Sequence, residues 1–203
     1  MTPIMRQILL SGKKNYIGIR HTAGTFNFGI TNGANVLWVF PDGTSSTAAQ
    51  PNVAVPAGVT KLYASNLSAS GVELIDGASN AIVTSQLKDF NKLTYSLSLA
   101  DCSLVTGSLA DLQGKLTYFL GLANCTNITG VYTPVGTGTP TTTTLSNTGL
   151  SSADMDNTLI AYAAATKDNG TFTAAGMTRT AASDAAVATL TGRGWIISGI
   201  TKE

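Results

Sequence analysis

"KLTYSLSLADCSLVTG" (residues 92–107) and "KLTYFLGLANCTNITG" (residues 115–130) say nearly the same thing twice. Ten of sixteen aligned residues are identical at an offset of 23. The register reaches a third unit. Leu99, Leu122 and Leu145 align, as do Cys102, Cys125 and Thr148. Each unit reads Leu-x-Leu-x-x-(Cys or Thr), with Thr143 in the first leucine position of the third. Leu97 and Leu99 are two apart, so they face the same way on a strand. One short strand cannot bury them. Stacked units would set Leu97 over Leu120 and Leu99 over Leu122, giving a short parallel sheet with a continuous core.

The period and the spacing resemble those of leucine-rich repeats. The resemblance covers residues 92–150 and loosens on both sides. Upstream, "KLYASNL" (61–67) keeps the spacing with Leu62, Ala64 and Leu67; downstream, Phe172, Ala174 and Met177 can fill the same slots, and "GWIISGI" (194–200) would close the array. The resemblance implies an α/β solenoid: a leucine-rich-repeat-like short parallel sheet, with loops and two helices on the convex side. About five irregular coils are expected over residues 57–203.

The two helices are legible on their own. "SSADMDNTLIAYAAATKDNG" opens with Ser and Asp at capping positions and carries Asp154 and Asp156 in its first turn. Met155, Leu159 and Ala163 share a face beside Tyr162, and Asn169-Gly170 reads as the stop. "SDAAVATLTGRG" repeats the idea, with Val187 and Leu190 inward and Gly192 or Gly194 at the end. Residues 1–56 differ. "TFNFGITNGANVLWVF" alternates about Asn32-Gly33, a hairpin signal, and "PDGTSS" (41–46) is a second turn. A strand-rich N-terminal cap or attachment module is expected there, because the first coil of a stack would otherwise expose its core.

Composition narrows the function. Charged residues are 11% of the chain and apolar residues 43%, with a formal net charge of +1. Such a balance supplies no long-range field for nucleic acid or an anionic membrane. No apolar run approaches the roughly 20 residues of a membrane span, and the opening segment lacks the features of a secretion signal. The single histidine, His21, sits beside a predicted turn and reads as a surface or hairpin residue, not a catalytic one. Asp154, Asp156 and Asp184 read as first-turn helix residues, and Asp42 as a turn residue. Cys102 and Cys125 occupy the same slot of neighbouring units and are expected as adjacent buried thiols. No catalytic residue, cofactor or metal site is expected.

The outward residues of the predicted sheet are small and uncharged: Ser96, Ser98 and Ala100, then Phe119, Gly121 and Ala123, then Thr142, Thr144 and Ser146. Phe119, Ser96, Ser98, Thr142 and Thr144 are the candidate contact residues on that face. Ile8, Leu9 and Leu10 are a second candidate contact, an apolar patch without an evident core. The chain is similar to irregular leucine-rich segments of phage virion and tail proteins and of bacterial surface proteins. That resemblance implies a non-enzymatic structural or adhesion protein in a virion or tail fibre, acting on protein partners: itself or other particle subunits. The alternative is a secreted or surface bacterial recognition module that binds host protein or glycan.

Overall fold

The computed structural model describes residues 16–31, 35–64, 73–75 and 82–203. Ile8, Leu9, Leu10, Asn32-Gly33 and Leu67 lie outside the described residues. The N-terminal part contains β1 (Tyr16–His21), β2 (Gly24–Phe26), β3 (Gly29–Thr31), β4 (Val36–Val39), β5 (Ser45–Ser46), β6 (Val53–Val55) and β7 (Gly58–Ala64). The strands β1, β7, β4 and β5 form one antiparallel sheet in that spatial order, and β2 pairs with β6. The tight β4–β5 connection is held by Asp42 Oδ1, which accepts from the Thr44 amide at 2.9 Å and its hydroxyl at 2.6 Å.

Further along come β8 (Glu73–Ile75), β9 (Ser96–Ser98), β10 (Thr106–Ser108), β11 (Phe119–Gly121), β12 (Asn127–Thr129) and β13 (Thr142–Thr144). They are followed by α1 (Ser152–Ala164), β14 (Thr171–Thr173), β15 (Thr178–Arg179), α2 (Asp184–Gly192), β16 (Ile196–Ser198) and β17 (Thr201–Lys202). A seven-stranded sheet runs β16-β14-β13-β11-β9-β8-β3. From β8 to β16 each strand is parallel to the next in the chain that joins this sheet, and β3 closes the other edge antiparallel to β8.

The repeat register is realised residue by residue. Leu97 pairs with Leu120, Leu120 with Thr143, Thr143 with Phe172 and Phe172 with Ile197. Leu97, Leu99, Leu120, Leu122 and Leu145 are fully buried, as are Phe172 and Ala174. Thr143, the one polar residue in the leucine column, is buried too, and its hydroxyl lies 2.8 Å from the Tyr162 hydroxyl of α1. A buried hydroxyl needs such a partner.

What ends each strand is a left-handed corner. Asp101, Asn124 and Asn147 have φ of 63°, 63° and 52°, and Gly176 stands next in the series at 74°. Only Gly, Asn and Asp enter this region at small cost. The side chains also join: Asn124 Nδ2 donates to Asp101 Oδ1 at 2.6 Å, and Asn147 Nδ2 donates to Asn124 Oδ1 at 3.0 Å. Past the corner, β10 pairs parallel with β12 and β15 with β17, so a second line of pairing runs beside the main sheet.

In α1 a reciprocal capping box joins Ser151 and Asp154, and Met155, Leu159 and Tyr162 are buried. Tyr162 meets Phe172 and Trp195 edge-on, at centroid distances of 5.4 and 5.6 Å. The Trp195 ring lies where a side chain on Gly170 would stand, within 2.5 Å of its Cβ position, so Gly170 is needed for close approach.

Several expectations are corrected. The described strands on either side of Asn32-Gly33 lie in different sheets: β3 joins the long sheet, and β4 is an inner strand between β7 and β5. Val36, Leu37 and Trp38 are all buried, so β4 needs cover on both faces, which a lone hairpin cannot supply. Leu62 and Ala64 do not begin a coil. They lie in β7, antiparallel to β1 and β4, on the far side of the boundary expected at residue 56. One hydrophobic core runs from Ile17 to Trp195 through both parts. Helix α1 ends at Ala164, short of Asn169-Gly170. The Arg193 guanidinium donates to the carbonyls of Tyr162, Ala163 and Ala165, satisfying the groups a glycine cap would otherwise leave to the backbone.

Candidate interaction surfaces

The parallel sheet gathers Ser96, Ser98, Phe119, Thr142 and Thr144 on one face. Ser96 pairs with Phe119 and Phe119 with Thr142; Ser98 pairs with Gly121 and Gly121 with Thr144. The face continues through Thr171 and Thr173 to Ile196 and Ser198. Thr173 and Ser198 link by their hydroxyls at 3.2 Å. The Phe119 ring folds over Gly121: a Cβ there would come within 2.4 Å of it, so Gly121 is buried although it faces outward. Ile196, on the edge strand, is 64% exposed.

Ser96 corrects the expected outward set. It is fully buried, and its hydroxyl has no hydrogen-bond partner among the described residues. Its backbone lies between β8 and β11, paired with Glu73 and Phe119. At the foot of the same strands Tyr95 and Tyr118 stack nearly parallel, 4.9 Å between centroids and 9° between planes. This pair falls at the 23-residue offset and was there to be read from "KLTY" in both units.

His21 is buried, not a surface residue. Its Nδ1 donates to Thr22 O at 3.0 Å, its Nε2 lies 2.8 Å from Thr60 Oγ1, and its ring packs on Phe26. It links β1 to β7 from the inner side. Asp156 does more than stabilise a first helical turn. It is 4% exposed and accepts from Thr180 N, Thr180 Oγ1 at 2.6 Å and Ser183 Oγ at 2.5 Å. Burial pushes its pKa up, but the hydrogen bonds from Ser183 and Thr180 and the nearby Arg179 outweigh it and hold the carboxyl below its ordinary value. This network ties α1 to the segment leading into α2. Cys102 and Cys125 stand as buried thiols; burial pushes both up to about 12, and Cys125 Sγ donates to Leu99 O at 2.9 Å.

A groove of about 520 Å³ lies on the outer side of the antiparallel sheet. Strand β1 contributes Tyr16, Gly18 and Arg20, strand β7 contributes Val59 and Lys61, and the 3-10 turn Leu87–Phe90 with its continuation contributes Lys88, Asp89, Asn91 and Lys92. Lys61 Nζ and Lys92 Nζ stand 5.5 and 5.6 Å from the centre of the Tyr16 ring, and Lys92 Nζ donates to Tyr16 O at 3.0 Å. Arg20 is paired with Asp89 at 3.2 Å. Sequence reading missed this groove. The outward alternation Tyr16-x-Gly18-x-Arg20 and Val59-x-Lys61-x-Tyr63 was visible, but not which strand meets which.

Among the described residues no group of three or more His, Cys, Asp or Glu side chains is placed to hold a metal ion, and no helix is long and apolar enough to cross a membrane. No protein-family model, curated protein or solved structure matches the chain.

Proposed function

We propose that the chain is a non-enzymatic structural or adhesion protein acting through protein–protein contacts, as a component of a phage virion or tail fibre. In this reading its repeated part is an irregular leucine-rich-repeat-like solenoid, and its N-terminal strands are the cap. The observation that carries it is the outward face of the parallel sheet. That face is a run of Ser and Thr side chains at Ser98, Thr142, Thr144, Thr171, Thr173 and Ser198, with Phe119 and Ile196 as its large apolar members. Contact surfaces lose their charged residues at the centre and keep aromatic and aliphatic anchors. A face of this composition loses little on dehydration against a second protein surface, either a copy of the chain or another particle subunit.

The second reading, a bacterial surface or secreted recognition module, is favoured by the basic groove, which suits a ligand and not a flat subunit contact. Fractionation separates the two. Peptides of this chain recovered by mass spectrometry from purified phage particles would support the virion reading. Recovery from the cell envelope or medium of uninfected bacteria, with none in particles, would replace it.

A further inference from the structure

We infer that the groove between β1, β7 and the 3-10 turn Leu87–Phe90 binds a short acidic saccharide, one that carries carboxylate or phosphate groups. Among the described residues four cations line it, Arg20, Lys61, Lys88 and Lys92, and one acidic residue, Asp89. The described lining is thus strongly positive, in a chain whose formal net charge is only +1. Asp89 is committed to Arg20. Among the described residues no carboxylate pairs with Lys61, Lys88 or Lys92.

Two of these ammonium groups are held in place before any ligand arrives. The Tyr16 ring carries both Lys61 and Lys92, and the Tyr16 carbonyl anchors Lys92. Two like charges beside one ring repel, and a bound anion nearby relieves that repulsion. On the groove floor the Val59 side chain and the Tyr16 ring close over Gly18, where a Cβ would stand 3.3 Å and 3.7 Å from them, so Gly18 lets both side chains lie down beside the cations. The Asn91 amide adds a donor and acceptor suited to hydroxyl groups.

The volume falls within the range of small-ligand sites, roughly 300–1,000 Å³. It suits a few sugar units. A single-stranded nucleic acid is disfavoured because it needs ring faces open for base stacking, and Tyr16, the one aromatic ring among the described lining residues, already has ammonium groups beside it. A membrane surface is disfavoured because the cations converge in a concavity and do not lie on a plane. The proposal does not depend on the contact reading of the parallel sheet, which lies on a different part of the fold.

The test is fluorescence anisotropy of a labelled trigalacturonate with the full chain, its K61A/K92A double variant and K115A, whose lysine lies outside the groove. Neutral maltotriose, a short single-stranded DNA and phosphatidylserine vesicles serve as competitors. The expected result is saturable trigalacturonate binding that maltotriose does not displace. Binding should weaken about tenfold or more in K61A/K92A and fall with added salt, because the contacts are charge-assisted and partly exposed. K115A should bind like the parent chain. Circular dichroism melting shows whether the double variant stays folded, as loss of two surface lysines should allow. No trigalacturonate binding overturns the proposal. So does equal binding by a folded K61A/K92A, or tighter binding to the DNA or the vesicles.

Discussion

Residues 92–150 and residues 16–64 share one hydrophobic core but build it by different rules. In the first region each sheet position meets its equivalent 23 residues on, so Ser96 meets Phe119 and Phe119 meets Thr142. In the second, Tyr16 meets Tyr63, Gly24 meets Val55, and Trp38 meets both Leu62 and Ser46. Repetition lets one local solution serve several times: a three-residue strand, a left-handed corner and a buried thiol or half-buried hydroxyl. The N-terminal strands have no such economy, and each pairing is its own long-range arrangement.

This contrast can be broken or sharpened by mutation. The largest effect is expected from Leu120→Ala, at the centre of the leucine column, which should cost about 2–5 kcal/mol in urea unfolding. Leu62→Ala, equally buried in β7, should lower the same single transition, because one core joins the two regions. Two separate transitions would show that the regions fold independently.

Next comes Asp156→Ala. It leaves the Thr180 amide and the Thr180 and Ser183 hydroxyls without their acceptor, for about 2–4 kcal/mol. The folded pKa of Asp156 lies below its unfolded value. Its contribution is therefore fully present above the unfolded pKa, about 4, and is lost as pH falls through the folded pKa. Asp156→Asn should flatten the acid limb of a stability profile taken below about pH 5. An unchanged limb would assign acid sensitivity to other carboxyls.

A smaller effect is expected at the corner. Asn124→Ala loses both ladder hydrogen bonds and forces φ of 63° on a Cβ-bearing residue without Asn's local bonding, for about 1–2 kcal/mol. Asn124→Gly loses the bonds but relaxes the backbone, so it should cost less. The reverse order would mean that the corner is not under conformational constraint. The thiols give the smallest change. Cys102 and Cys125 should resist alkylation in the native protein and react as two thiols on denaturation without reductant. No reactive thiol after denaturation would indicate a disulfide.

The leucine column was legible because its period is short enough to repeat inside one stretch of sequence. The corner went unread: Asp101, Asn124 and Asn147 stand before Cys102, Cys125 and Thr148 at the same offset, but their left-handed backbone and hydrogen-bonded ladder emerge only in the fold. The alternation expected through β4 is absent for a physical reason: Val36, Leu37 and Trp38 are all buried, because β4 is an inner strand covered on both faces. Ser96 looked outward by alternation, and nothing in the sequence signals its burial. The groove was invisible because Lys88 and Lys92 reach β1 only through the fold. The outward face of the sheet was half legible. Its small residues follow from alternation, whereas the lie of the Phe119 ring over Gly121 does not.

The proposal that this face makes protein contacts is tested most directly by light scattering at low and high salt, on the parent chain and on Phe119→Asp and Ile196→Asp. The account predicts an oligomer that persists as salt rises, since few charges are there to be screened. Its interface should bury at least about 1,000 Å², and either aspartate should disperse it to monomers. A monomer under every condition, or an oligomer that dissociates as salt is added, would contradict the account.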